Sequence, residues 1–132
     1  MKAVLDTNLV IYLQKGLLAD NLPSGEYLIS VITEMELFSF PGLNDEQQAW
    51  LRRFIDDIEV IGIHEKIKQR AIALRREYRL KLPDAIIAAT AITHDAVLFS
   101  NDQGFAGLSG LKWQGIELCQ GTARGKRYES SA

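Results

Sequence analysis

The sequence predicts a single α/β domain in which a mostly parallel sheet is flanked by helices. Short apolar runs of strand length alternate with longer stretches whose apolar residues recur at helical spacing. Such alternation is typical of parallel sheets covered by helices. The chain of 132 residues suits one domain with its own core. We assign residues 1–120 to this domain and the polar residues 121–132 to a loose C-terminal tail.

The first half of the chain is predicted to hold two strands and three helices. In order, they span residues 4–5 (strand), 7–15 (helix), 27–30 (strand), 33–40 (helix) and 44–57 (helix). Each helix is indicated by apolar residues three or four positions apart. Pro23 and Gly25 mark the turn before the second strand, and Pro41 with Gly42 ends the second helix.

The second half continues the same alternation. In order, it is predicted to contain residues 60–63 (strand), 64–79 (helix), 83–94 (helix), 97–100 (strand) and 116–118 (a candidate fifth strand). The helix over 83–94 is rich in alanine and isoleucine on all sides, so we expect it to be buried on more than one face.

Four acidic residues lie at or near the ends of apolar runs: Asp6, Glu36, Asp84 and Asp102. Asp6 and Asp102 each follow a predicted strand, and ligands bind outside the carboxyl ends of parallel strands. Buried carboxylates resist ionisation and repel one another unless a cation joins them. Hard divalent cations prefer oxygen ligands. The pattern therefore predicts a metal site formed by these acids.

Each acid also has a structural alternative. Asp6 could cap the helix that follows it, and Thr33 with Glu36 has the spacing of a capping box. Asp84 lies beside a proline at a helix start, where the helix dipole favours an acid. Asp102 suits an Asx turn. Chance capping would scatter the acids over both edges of the sheet, whereas a metal site requires them at one edge.

The four acidic stretches resemble, in order, the motifs of the PIN-domain nucleases, and among these the VapC-type toxins of bacterial toxin–antitoxin pairs. They are residues 4–8, 30–37, 82–91 and 98–102. The resemblance runs from about residue 4 to residue 118. It implies a PIN-like (Rossmann-like) fold and an endoribonuclease that depends on Mg²⁺ or Mn²⁺, with one or two ions bound. It also implies a homodimer and a cognate antitoxin partner.

The resemblance also implies roles for individual residues. The four acids would be both metal ligands and catalytic residues, and water rather than a side chain would be the nucleophile. Neighbouring polar residues are candidate donors that orient the ligands or the phosphate. These are Thr7, Asn8, Ser100 and Asn101.

Charge is unevenly distributed although the formal net charge is only −2. Residues 66–81 are strongly basic, and the last basic residues of this run immediately precede the third acidic motif. These are Arg75, Arg76, Arg79 and Lys81, which we predict to bind RNA phosphates. The alternative is an ordinary solvated helix face.

The remaining composition indicates compartment and assembly. Cys119 is the sole cysteine, so a disulfide framework is excluded. No apolar run reaches membrane-spanning length and no signal-peptide pattern opens the chain, so we expect a cytoplasmic protein without membrane contact. Large apolar residues on the short helices are compatible with a dimer interface. They include Phe38, Phe40, Trp50 and Phe54.

Two other functions are compatible with a domain of this size. One is a receiver-like phosphoacceptor, and the other is a catalytically silent metal-binding scaffold. Receivers place two acids close to the phosphorylated one and use a lysine near the site. Here Asp6 alone ends the first strand and no lysine follows the fourth, which favours the nuclease.

Overall fold

Five parallel strands form one sheet in the computed structural model, which describes residues 1–119. The strands are β1 (Lys2–Leu5), β2 (Glu26–Ser30), β3 (Glu59–Ile61), β4 (Val97–Phe99) and β5 (Lys112–Gln114). Their order across the sheet is β3-β2-β1-β4-β5, so the connection from β1 leads to one side and β4 continues on the other. The predicted parallel α/β fold is confirmed. The predicted tail, residues 121–132, lies outside the described residues.

Five α-helices accompany the sheet in the described part of the chain. They are α1 (Thr7–Gln14), α2 (Val31–Phe38), α3 (Asp45–Asp56), α4 (Glu65–Tyr78) and α5 (Leu82–Thr93). The capping box predicted at Thr33 is wrong. The side chain of Ser30 accepts from the Ile32 amide at 3.1 Å and starts α2 two positions earlier, which buries Thr33 inside the helix.

The fifth strand is also placed differently from the prediction. It is Lys112–Gln114, whereas the predicted segment 116–118 bridges back to Leu18 in antiparallel fashion through Leu118. Both segments alternate exposed and partly buried side chains, so their patterns cannot be told apart locally. The backbone of Ile116 bonds to a side chain, Asn101, instead of to a strand.

Two layers of helices enclose the sheet. On one face, Val4, Leu28 and Leu98 pack with residues of α4 and α5, and on the other, Leu5 and Phe99 pack with residues of α1, α2 and α3. The predicted burial of α5 on several faces is confirmed, because all seven residues from 85 to 91 are buried. Helix α2 contacts α1, α3 and α5, and thus bridges the two layers. Among residues 1–119, no helix combines the length and hydropathy needed to cross a bilayer.

Candidate active site

The carboxyl ends of β1 and β4 meet at the point where the strand order reverses. β1 and β4 are neighbours in the sheet, yet β1 leads to β2 on one side and β4 leads to β5 on the other. Such a switch point leaves a crevice above the strand ends, and ligands of α/β sheets bind there. Asp6 directly follows β1, and its amide donates to the carbonyl oxygen of Phe99 in β4 at 3.2 Å.

A cavity of about 340 Å³ opens at this edge, and all four predicted acids line it. Each acid comes from a different element. Asp6 caps α1, Glu36 lies on α2, Asp84 lies in the first turn of α5, and Asp102 caps a 3₁₀ turn at Gln103–Phe105. The acids therefore share one edge of the sheet, as a metal site requires.

Asp6 is the most buried of the four acids, with 5% of its surface exposed. Its Oδ1 accepts from the Leu9 amide at 2.7 Å, and its Oδ2 accepts from the Ser100 hydroxyl. Burial raises the pKa of the Asp6 carboxyl, and the charges of Asp102 and Glu36 raise it further, against the lowering effect of the two hydrogen bonds. Asp6 is thus both a helix cap and a wall of the cavity.

Glu36 is held by a threonine on another helix. The Thr7 hydroxyl donates to Glu36 Oε1 at 2.6 Å, and the hydroxyl oxygen of Thr33 lies 3.2 Å from that of Thr7. Thr7 has one hydroxyl proton, which it donates in the hydrogen bond to the Glu36 carboxylate. The hydrogen bond between the two threonines is therefore donated by Thr33 and accepted by Thr7. The position of the Glu36 carboxylate is therefore fixed from α1 and from within α2.

Asp84 differs from the other acids because no side chain or backbone group among residues 1–119 donates a hydrogen bond to its carboxylate. Its pKa is raised, first by burial and then by the charges of Asp102, Glu36 and Asp6, while Lys81 lowers it. The Asp84 oxygens therefore carry an electrostatic cost that a cation would relieve.

Asp102 is exposed at the mouth of the cavity. Its Oδ1 accepts from the Gly104 amide at 2.8 Å, which is the predicted Asx turn. Its own amide donates to the Ser100 hydroxyl oxygen at 3.0 Å. Because Ser100 also donates to Asp6, this one buried hydroxyl ties the ends of β1 and β4 together.

The other predicted polar residues divide into two groups. Thr7 and Asn8 line the cavity, and Asn8 is exposed. Asn101 faces elsewhere: its amide nitrogen donates to the Ile116 carbonyl oxygen at 2.9 Å, and its amide oxygen accepts from the Ile116 amide at 2.7 Å. Asn101 therefore anchors the chain after β5, and no bond from it to an acid of the cavity is present among residues 1–119.

The predicted basic residues lie at the junction of α4 and α5 and are exposed: Arg75, Arg76, Arg79 and Lys81. Arg79 ends α4 in the left-handed conformation with φ of 57°, and Arg75 Nε donates to the Leu80 carbonyl oxygen at 3.0 Å. Lys81 directly precedes α5, and its charge acts on Asp84. None of the four lines the cavity. We call these four residues the basic edge, and Lys81 is its member next to the site, because it directly precedes the helix that carries Asp84.

The residues present fit a hard divalent cation by their chemistry. The charged groups that line the cavity are carboxylates, and the partners around them are hydroxyls and an amide. Within residues 1–119, no three His, Cys, Asp or Glu side chains already converge tightly enough to enclose one ion. Mg²⁺ does not need such a cage, because it keeps several waters and commonly takes one or two carboxylates directly.

Three cavity-lining residues were not predicted: Ser39, Phe40 and Ile87. Ile87 follows Asp84 by three positions on α5, and residues at this spacing share a helix face. Extending Asp84 along its helix would have identified Ile87. Ser39 and Phe40 follow Glu36 by three and four positions but lie just beyond the end of α2, so they reach the cavity from the turn after the helix.

Residues 3–111 match the PIN domain family. The chain belongs to this family. PIN domains are nucleases, and they generally use divalent metal ions. The match covers most of the chain and includes all four acids of the cavity. The family resemblance inferred from the four motifs is therefore confirmed.

Solved structures of toxin–antitoxin complexes resemble this PIN domain. One is a toxin-antitoxin complex from Klebsiella pneumoniae, with 35% identity, a TM-score of 0.67, and coverage of 83% of this chain and 94% of that chain. VapBC-1 from nontypeable Haemophilus influenzae has 25% identity, a TM-score of 0.72, and coverage of 87% and 98%. VapBC2 from Rickettsia felis, bound to a promoter DNA fragment, shares the fold at 22% identity, with a TM-score of 0.73 and coverage of 89% and 100%.

Proposed function

We propose that this PIN domain is a metal-dependent endoribonuclease that hydrolyses RNA phosphodiester bonds and acts as the toxin of a toxin–antitoxin pair. The observation that carries the proposal is the convergence of four carboxylates, from four elements, on one cavity at the switch point of the sheet. Burial, and after it the charges of the neighbouring acids, raise the pKa of Asp6 and of Asp84, so their ionised carboxylates are held at an energetic cost. A cofactor cation would balance that charge.

Asp6 and Asp84 are the proposed principal ligands of one or two Mg²⁺ or Mn²⁺ ions, with Glu36 and Asp102 completing the site partly through water. Asp84 has both oxygens free of hydrogen bonds from the described residues, and Asp6 accepts one bond on each oxygen, which leaves further lone pairs for a cation. When bound, the cation would activate water and stabilise the charge of the phosphate being cleaved.

The surrounding residues would keep this acidic site in place. Thr7 fixes the Glu36 carboxylate, and Ser100 joins Asp6 to the backbone of Asp102. These contacts orient the carboxylates before the cation and the phosphate arrive, so less reorganisation is needed on binding. Asn8, exposed at the cavity, is a candidate donor to a phosphate oxygen.

RNA would approach along the basic edge defined above. Its four side chains are exposed, and Lys81 directly precedes α5, the helix that carries Asp84. Cationic side chains at such an edge would bind phosphates flanking the scissile one, and these contacts set affinity rather than sequence choice. Lys81 is the member whose charge already acts on the site.

The proposal includes a cognate antitoxin, a homodimer and action in the cytoplasm. Support for the antitoxin comes from the similar solved structures, which are toxin–antitoxin complexes. For the dimer, Trp50 and Phe54 stack at 5.3 Å between ring centroids and remain partly exposed on α3, where a second copy could cover them.

The decisive test of the enzyme is cleavage of RNA by the purified protein with Mg²⁺ and with EDTA, beside single-stranded DNA of the same sequence. Mg²⁺-dependent cleavage of RNA supports the proposal. Mg²⁺ binding without cleavage would instead identify a silent metal-binding scaffold. Stable labelling of an aspartate by acetyl phosphate would favour a receiver-like phosphoacceptor.

A second test separates a toxin from a housekeeping nuclease. Induced expression of the chain should arrest growth, and co-expression of a small DNA-binding protein encoded immediately upstream should restore it. Cleavage in vitro without growth arrest would retain the nuclease and refute the toxin assignment.

A further inference from the structure

Phe40 is an aromatic side chain that lines the acidic cavity while 45% of its surface is exposed. Exposure of a large apolar ring is unfavourable, since burying one is worth about 1.5–3 kcal/mol. The other side chains that α2 and its end contribute to the cavity are Glu36 and Ser39, which are polar. The cavity therefore combines a charged wall with one accessible aromatic face.

The backbone holds Phe40 at this position from both sides. On the N-terminal side, the Ser39 amide donates to the Glu36 carbonyl oxygen at 3.1 Å, which closes the last turn of α2. On the C-terminal side, Pro41 restricts the preceding residue to extended conformations. Gly42 then turns the chain with φ of +82°. The ring is thus attached to a fixed turn that directly follows α2, four positions after Glu36.

We propose that Phe40 stacks on a nucleobase adjacent to the phosphate at the four carboxylates. The inference rests on the proposed nuclease function of the same cavity. A base in a duplex is stacked on both faces and cannot present one to a side chain, whereas unpaired bases commonly stack on aromatic rings. Phe40 would then be a positioning and specificity-determining residue.

A nucleobase suits this ring better than a protein partner does. A partner that docks by apolar contact would need a continuous apolar patch around Phe40. The cavity beside the ring is instead lined mostly by acids and by polar residues such as Thr7 and Asn8, with Ile87 as the other apolar residue. A nucleotide has the matching composition, with a flat apolar face directly linked to an anionic phosphate, whose charge a cation in the acidic site would balance.

The test is a double-mutant cycle between Phe40 and the bases of a cleavable oligoribonucleotide. Wild type, Phe40→Leu and Phe40→Trp are compared on a series of substrates in which each base near the cleavage site is replaced by an abasic unit. Leucine keeps most of the apolar volume without the aromatic face, and tryptophan restores that face. Met35→Leu is the matched control, because Met35 is 58% exposed on α2 but does not line the cavity.

At one position, removal of the base should lower kcat/KM by about tenfold for wild type, Phe40→Trp and the Met35 control, as expected when a single base no longer stacks. Removal of the same base should lower the kcat/KM of Phe40→Leu by less than about twofold, since leucine offers no aromatic face to that base. Identical abasic profiles for wild type and Phe40→Leu would overturn the inference. Equal cleavage of duplex and single-stranded RNA would do the same, and so would a Phe40→Leu defect limited to binding of a protein partner.

A binding measurement separates failure of this inference from failure of the nuclease proposal. If wild type cleaves no RNA with Mg²⁺, the nuclease proposal fails by itself. Fluorescence of Phe40→Trp can still be titrated with single-stranded RNA in Ca²⁺, another cation that takes oxygen ligands. Quenching beyond that of wild type, which retains Trp50 and Trp113, supports stacking. Equal quenching in the two proteins contradicts it.

Discussion

Replacement of Asp84 by asparagine changes the charge of the site with little change in its shape. Asp84 is partly buried and accepts no hydrogen bond from the described residues, so the amide breaks no existing hydrogen bond. Burial raises its pKa most, and the charges of three acids raise it further: Asp102, Glu36 and Asp6. Without a divalent cation, the wild-type protein at neutral pH bears this repulsion, and Asp84→Asn relieves it.

The expected gain in stability is modest because the cavity is open to water. Coulomb repulsion between carboxylates across partly solvated space amounts to about 1 kcal/mol after allowance for screening. In EDTA, the free energy of unfolding of Asp84→Asn should therefore exceed that of wild type by about this amount, with a Tm higher by about 3–5 °C. Addition of Mg²⁺ should reverse the order, since a ligand stabilises the state that binds it.

Activity should respond in the opposite direction. Loss of groups that merely orient metal ligands costs about 10- to 100-fold, so loss of a ligand itself should lower Mg²⁺-dependent kcat/KM by at least about 100-fold. The assays are thermal unfolding in EDTA and in Mg²⁺, beside RNA cleavage. Asp20→Asn is the matched control, because it makes the same change on an exposed residue outside the cavity. Retention of most Mg²⁺-dependent cleavage by Asp84→Asn would refute the ligand assignment, and a lower Tm in EDTA would refute the repulsion.

Three further predictions concern pH, the basic edge and assembly. In EDTA, the raised pKa values of Asp6 and Asp84 mean that the folded protein binds protons which the unfolded chain releases. The wild-type protein therefore gains stability as pH falls from 7 toward the ordinary aspartate value of 3.8, and the stability advantage of Asp84→Asn should shrink. Urea unfolding measures this advantage, and an increase on acidification would contradict the prediction. Glutamine substitutions along α4 and at its end should weaken RNA binding and flatten its salt dependence by about 0.7 in log–log slope for each phosphate that is no longer neutralised, with Mg²⁺ binding unchanged. The positions are Arg75, Arg76 and Arg79, and an unchanged affinity and slope would leave them as a solvated helix face. Light scattering at tens of micromolar should give the mass of a dimer, and Trp50→Ala should shift it toward the monomer; a monomeric wild type would refute the interface.

The fold was predictable from sequence wherever the local apolar pattern of a segment matched its burial in the folded domain. β1 and α5 are examples: the first is a short apolar run before Asp6, and the second is apolar on all sides because it packs against the sheet and against its neighbours. Local signals failed where two segments had the same pattern. Residues 112–114 and 116–118 both alternate exposed and partly buried side chains. Which segment pairs with β4 is seen only in the folded chain, where residues 112–114 do so and Ile116 bonds to Asn101.

Which acids line the cavity was also predictable from sequence, but the hydrogen bonds that Thr7 and Ser100 make to these acids were not. Strand ends and helix starts indicate that acids gather at one edge, because the topology of parallel sheets leaves few other arrangements. The pairing of Thr7 with Glu36 joins residues 29 positions apart, and that of Ser100 with Asp6 joins residues 94 apart. No periodicity reports such contacts. Capping and cavity lining are competing interpretations of Asp6 in the sequence, yet one carboxylate performs both, with Oδ1 bonded to the helix and Oδ2 to the neighbouring strand end.

The distribution of charge explains how a chain of net charge −2 could act on RNA. Four acids line the cavity, and the basic edge ends at Lys81, next to the helix that carries Asp84. The acids alone repel a phosphate, while the cationic side chains of the basic edge attract one. Under the proposed function, a bound divalent cation would offset the negative charge of the cavity and leave the charge of the basic edge unchanged. Cation and RNA should then each raise the affinity of the other by the same factor, because coupling between two binding equilibria is reciprocal. Protons compete with the cation for Asp6 and Asp84, whose pKa values are raised, so acidification should weaken the binding of cation and RNA together.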